Sequence, residues 1–138
     1  MRRTVTTMRT PTTSNPSIHV RIFAAKGQHS TTGSSTTSFG FNFETLITRL
    51  ERLPRMFTEP DGSIVWTGEH DGQPWQLDGQ ITDHDGAVAF VEMNGRFPIV
   101  AMDEFLRQLQ WPDQPLVFED VLHGRWLSEA EMRERLTT

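Results

Sequence analysis

Three turn signals, Asp71-Gly72, Asp85-Gly86 and Asn94-Gly95, fall within the span from Ile64 to Val100, each flanked by alternating apolar residues. Asp-Gly and Asn-Gly tolerate the positive φ angles of tight hairpins, so three in succession spell out a four-stranded antiparallel meander. A two-residue turn at Asp71-Gly72 pairs His70 with Gln73, Gly68 with Trp75 and Trp66 with Leu77. The period-2 rule then gathers Ile64, Trp66, Trp75, Leu77 and Ile81 on one face and Thr67, Glu69, Gln76, Asp78 and Gln80 on the other. Trp75 opposite Gly68 fits this register, because a ring can cover the gap a glycine leaves.

The same construction at Asn94-Gly95 pairs Phe90 with Ile99 and Glu92 with Phe97, so that Val88, Phe90, Phe97 and Ile99 join the buried face. Pro98 lacks a backbone donor and suits an edge strand at residues 96–100. Strand 87–93 breaks the alternation, since Ala87, Ala89, Val91 and Met93 point to the face its neighbour lines with polar groups. That strand is therefore apolar on both sides.

The flanks read as helices. Asn42 caps a stripe of Phe43, Leu46, Ile47 and Leu50 that ends at Leu53-Pro54. Met102, Phe105, Leu106 and Leu109 mark a second helix, stopped by Trp111-Pro112. Leu116 to Leu122 reads as a fifth strand. Ser128 and Glu131 form a capping box for a third helix, with Leu127 placed to staple onto Met132. The expected fold is α+β: an antiparallel four- to five-stranded meander with helices packed on one face, a two-layer sandwich.

Residues 1–38 hold sixteen serines and threonines. Such a stretch buries too little apolar surface to offset its ordering entropy, so residues 1–40 are expected to form a disordered basic tail ahead of a domain at 41–138. Within it only Ile18-His19-Val20-Arg21-Ile22-Phe23 alternates like a strand, one that could add to an edge. The acid-free, Arg- and Ser/Thr-rich leader also has the composition of an organelle transit peptide, without a cleavage motif. Residues 44–138 carry eight arginines against all eighteen acids. That balance repels phosphate backbones and disfavours nucleic-acid binding by the folded part. No apolar run approaches the ~20 residues of a membrane span, and a soluble cytoplasmic protein is expected. Cysteine and tyrosine are both absent, which removes disulfides, thiolate metal sites and two nucleophile types.

Candidate chemistry is sparse. Glu69-His70-Asp71 and Asp83-His84-Asp85 together suggest a metal or acid–base cluster, but successive meander turns lie at opposite ends of a sheet, roughly 30 Å apart at ~3.3 Å per residue. Each reads as a solvated turn. Asp83-x-Asp85-Gly86 with Glu92 overlaps half of a calcium loop, yet Ile81 occupies its first ligand position and strands flank it. No metal or cofactor is expected. Glu92 is the sharper candidate: the register turns it inward opposite Gly79, where a carboxylate is costly unless paired or functional. The plainer alternative has it pair at the rim with Arg125 or Arg107. Ser63 follows a turn and Ser128 belongs to the capping box, so serine hydrolysis finds no support.

These features point to a non-catalytic protein-interaction module that self-associates through the second face of strand 87–93, with Ala89, Val91, Met93 and Pro98 as contact residues beside Glu92 and Val100. An exposed contiguous apolar patch usually marks a protein contact, unless the 43–53 helix crosses over and seals it. The order helix, three or four strands, helix, strand pair, helix resembles that of type III secretion chaperones. That resemblance implies a homodimer that binds an extended segment of another protein. The remaining reading is a small acid–base enzyme built on Glu92 with His84 or His123.

Overall fold

The computed structural model describes residues 17–27 and 36–137. Residues 1–16 and 28–35 lie outside the described residues, and with them most of the expected basic tail and any transit-peptide reading.

The described chain runs β1 (Ser17–Ala25), β2 (Thr36–Thr37), α1 (Phe43–Leu50), β3 (Met56–Thr58), β4 (Ser63–His70), β5 (Gln73–His84), β6 (Ala87–Arg96), α2 (Ile99–Gln108), β7 (Leu116–Asp120), β8 (Arg125–Leu127) and α3 (Glu129–Thr137). All eight strands form one antiparallel sheet in the order β3-β4-β5-β6-β1-β7-β8, with β2 against β1. The architecture is α+β, as expected, but the sheet is larger than four or five strands.

The first two turn signals hold. Asp71-Gly72 and Asp85-Gly86 adopt positive φ throughout (52° and 77°, 53° and 83°), the geometry whose twist matches flanking strands. β4 and β5 pair in the expected register, with Trp66 opposite Leu77 and Gly68 opposite Trp75. A Cβ on Gly68 would lie only 2.3 Å from the Trp75 ring, which lies over that position.

The third signal is not a turn. Asn94 and Gly95 lie inside β6, flanked on one side by Asp78 and Leu77 and on the other by His19 and Ile18. The second neighbour of β6 is therefore β1, and beyond Arg96 no further strand forms before α2. Pro98 is buried and precedes α2 as its N-cap residue, where its missing donor costs nothing. Gly95 is still required: its φ is 146°, and an added Cβ would come within 2.3 Å of the Gln76 carbonyl oxygen. Gly95→Ala is expected to cost more than about 1 kcal/mol, read as a lowered urea midpoint, while Asn94→Ala at the exposed neighbouring site changes it little.

A second departure re-aims β6. Thr82 pairs with Phe90 but Asp83 pairs with Val88, leaving Ala89 as an extra residue opposite no partner. This β-bulge shifts the alternation by one place. Val88, Val91 and Met93 consequently all face the core and are fully buried, whereas Phe90 and Glu92 turn to the opposite face. The expected second apolar face of strand 87–93 does not exist in that form. Val91 and Met93 are core, Pro98 is buried, Ala89 is the bulge, and Val100 stands half-exposed on α2.

The expected boundary at residue 41 also moves. Ile18, Val20, Ile22 and Ala24 of β1 are buried in the sheet's centre, so the folded part reaches back at least to Ser17. Where β1 diverges from β6 beyond Ile22, Phe39 and Phe41 bond to both backbone groups of Val88 and fill the gap.

One core cluster contains residues of all three helices together with those inward strand positions, which puts the helices on a single face. Asn42 caps α1 by accepting from the Thr45 amide (2.8 Å), and Ser128 with Glu131 forms the reciprocal box at α3. α2 and α3 are tied by Arg133, which bonds Asp103 (2.7 Å) and Glu129 (2.9 Å) and lies 4.8 Å from the Trp111 ring centre. No helix among the described residues is long and apolar enough to cross a membrane.

Candidate functional site

The helix-free sheet face is where the expected site residue Glu92 emerges. β1 sends its odd positions there, because its even positions are the buried Ile18, Val20, Ile22 and Ala24. His19, Arg21 and Phe23 therefore stand beside the outward residues of β6 and β7. Arg21 lies opposite both Glu92 and Glu119.

The carboxylate of Glu92 is engaged on both oxygens. His19 Nε2 lies 2.6 Å from Oε2, and Arg21 Nε donates to Oε1 at 3.0 Å. Arg21 Nη1 also donates to Glu119 at 3.3 Å. Glu92 thus does not point inward opposite Gly79, whose partner is Met93, and its arginine is Arg21 rather than Arg125 or Arg107. The hydrogen bond from His19, joined by that from Arg21 and opposed by partial burial, holds the Glu92 carboxyl below its ordinary 4.5.

A pH dependence follows with a definite sign. The depressed folded pKa means the unfolded chain binds the proton more readily, so the stabilisation is present above about pH 4.5 and is lost as pH falls through the folded value. Urea unfolding at pH 7 is expected to show Glu92→Gln less stable than the wild type, with the gap narrowing on acidification below pH 4.

Beside this polar row runs an aromatic one. Phe23 contacts Phe90 at 5.0 Å and Trp126 at 5.1 Å between ring centres, and the Arg21 guanidinium lies 5.6 Å from the centre of the Phe90 ring. All three rings are partly exposed. Phe23 was legible as part of an alternating hexapeptide. The bulge at Ala89 carries Phe90 to the face opposite the one strict alternation predicts, and Trp126 lies on a strand, β8, that only three residues define.

The other chemistry-bearing groups are dispersed. The turn histidines sit at opposite ends of the twelve-residue β5, His70 near Asp71 (3.5 Å) and His84 near Asp85 (3.1 Å), and both are exposed. The calcium-loop-like segment 81–92 is the β5–β6 hairpin. Among the described residues no group of three or more His, Asp or Glu side chains could hold a metal ion. His123 bonds through Nδ1 to the buried Asp120 (2.8 Å), which also pairs with Arg135 (3.0 Å). Burial opposes ionisation of Asp120, but the His123 and Arg135 bonds outweigh it and hold its pKa below the usual carboxylate value. His84 and His123 thus each have a carboxylate of their own, and the histidine beside Glu92 is His19. A carboxylate kept ionised and occupied on both oxygens is a poor general base, so the acid–base reading built on Glu92 loses its central group.

One groove of about 400 Å3 opens between the β4–β5 hairpin and α2, lined by Trp66, Glu69, His70, Trp75, Val100 and residues of the α2 surface. Trp66 and Trp75 meet edge to face there, 4.9 Å apart.

No family model matches this chain, and neither does any curated protein or solved structure.

Proposed function

We propose that this chain is a non-catalytic protein-interaction module that pairs with a second copy of itself through the helix-free face of its sheet. The observation that supports this most is the placement of all three helices on one face. It leaves Phe23, Phe90 and Trp126 as a partly exposed aromatic row on the other. Partly exposed aromatic clusters bordered by polar groups favour association. The Glu92–Arg21–Glu119 row alongside carries both signs of charge, which suits an isologous contact in which one patch meets its own copy. The surface is still the second face of strand 87–93, but the bulge changes its residues from Val91 and Met93 to Phe90 and its neighbours.

Sedimentation equilibrium on the full chain tests the reading. A dimer is expected that becomes monomeric in Phe90→Ser/Trp126→Ser, with the far-UV spectrum retained. A wild-type monomer at 100-fold dilution steps up to about millimolar protein, well above typical working affinities, overturns it.

A second reading keeps the likeness to type III secretion chaperones. From α1 onward the order is helix, four strands, helix, two strands, helix, and β8 supplies the last strand of the pair. The central β1 lies outside that order. This reading requires both a dimer and a defined extended segment bound to it, and it fails if the chain does not dimerise.

A further inference from the structure

The helix-free face carries a second surface at the margin opposite its aromatic row. Arg55, just ahead of β3, is bonded to Thr67 of β4 through both its carbonyl (3.4 Å) and its Nε (3.2 Å). Thr67 lies opposite Gln76 of β5, and Gln76 opposite Arg96 of β6, so the four residues stand in one row. Trp66 is buried against the helices, which turns its neighbour Thr67 and that whole row to the other face. With Glu69 and Pro74 the row lines an open hollow of about 890 Å3. The exposed Arg55 and Arg96 close it at both ends, about 14 Å apart over three strand spacings. One row further along, Phe57 (65% exposed) and Val65 (37%) lie opposite each other as an uncovered apolar pair.

We propose that two copies of the chain meet reciprocally, each hollow receiving Trp126 and Glu119 of the other copy while Phe57 and Val65 cover that copy's Phe23 and Phe90. The inference rests on the dimer reading and names the partner surface within it. Trp126 is partly exposed on β8, the edge strand at the far end of the sheet from β3, and a tryptophan seated in a hollow is a common interface anchor. Glu119 lies opposite Trp126 and accepts from Arg21 on Oε1 alone, so its other oxygen enters the hollow between Arg55 and Arg96. Symmetry favours the same pairing. Val65 lies opposite Asp78 and Phe90 opposite Thr82, four residues along β5, so the two apolar pairs flank Gln80 and Glu92 diagonally. A two-fold axis between the sheets through that midpoint exchanges the apolar pairs and carries the Glu119–Trp126 row onto the Arg55–Arg96 row. One operation thus makes every contact twice, as an isologous interface requires. Stacking the aromatic rows like against like leaves the hollow and Phe57 uncovered.

The test uses the full-length chain, mixed from isotope-labelled and unlabelled copies. Isotope-filtered NOE spectra are expected to connect the Trp126 ring with the Thr67 methyl and Pro74. Within one copy Thr67 and Trp126 are five strand spacings apart, about 24 Å, so such a contact passes between copies. A charge exchange supplies the second arm. Arg55→Glu and Glu119→Arg should each raise the dimer dissociation constant about tenfold, and the two together should return it to within about threefold of wild type. Arg55→Glu/Glu44→Arg has the same net charge as that pair, with the exposed Glu44 on α1, and should stay as weak as Arg55→Glu alone.

A dimer in which Trp126 meets only Trp126 or Phe90 of the other copy would overturn this arrangement and leave the dimer reading standing. A wild-type monomer would overturn both. Equal recovery with Glu44→Arg and Glu119→Arg would assign the effect to net charge, and the arrangement would fall. The NOE contacts are read on the wild-type chain, so they decide the matter even if a charge variant fails to fold.

Discussion

Residues 40–138 expressed alone are expected not to fold. The fragment lacks β1, whose Ile18, Val20 and Ile22 are buried to 5% exposure or less in the middle of the sheet. Each such side chain contributes about 1.5–3 kcal/mol on burial. Losing three removes an amount comparable with the whole stability of an ordinary domain, roughly 5–15 kcal/mol. The loss is also topological. β6 and β7 each pair with β1, so the fragment splits the sheet into β3–β6 and β7–β8 and leaves two apolar strand edges without partners. The fragment should give a collapsed amide NMR spectrum and no cooperative thermal transition, and a synthetic peptide of residues 16–27 should restore part of both. A dispersed spectrum with a sharp melt would show that β1 is dispensable.

Val91→Asp is expected to unfold the protein, whereas Phe90→Asp, one residue away, leaves it folded. Val91 is fully buried between Ile22 of β1 and Ile81 of β5. The cluster around it is apolar, so a carboxylate there has no cation beside it among the described core residues, and burying it unpaired costs more than about 4 kcal/mol. Phe90 lies on the helix-free face, partly exposed and beside the Arg21 guanidinium. The contrast isolates the bulge at Ala89. Without it the two positions exchange faces, and the variants should exchange behaviour. Soluble yield and thermal midpoints of the two proteins decide between the alternatives, and a folded Val91→Asp with an unfolded Phe90→Asp would refute the register described here.

What the chain discloses before folding is what lies close along it. The β4–β5 register follows from Asp71-Gly72 because a two-residue turn leaves one pairing, and Trp75 over Gly68 confirms it. Asn42, Ser128 and Glu131 mark their helix ends by hydrogen bonds that reach only three residues. The Ala89 bulge has no such signature, since a small residue in a strand looks the same paired or unpaired. Asn94-Gly95 misleads because the glycine is needed for close approach to Gln76 and not for a turn. The candidate site was half visible. His19 and Arg21 alternate with apolar residues in an acid-free segment, so their outward direction could be read, but their meeting with Glu92 spans 73 and 71 positions. Local pattern carries no information about such pairing.

The central position of β1 has a kinetic consequence. The first of the described strands is bonded to β6 and β7, and Arg21 reaches Glu119 across 98 positions. Closing loops of that length precedes any return from the contacts they create, so the sheet's middle should be the last part to assemble and the rate-limiting one. The β4–β5–β6 hairpins can form early and wait with one side of β6 open. During synthesis this interval lasts until Asp120 has emerged, and a second nascent chain could supply the missing strand to that open side. Exchange of β1 between two copies would then be the characteristic misassembly of this fold.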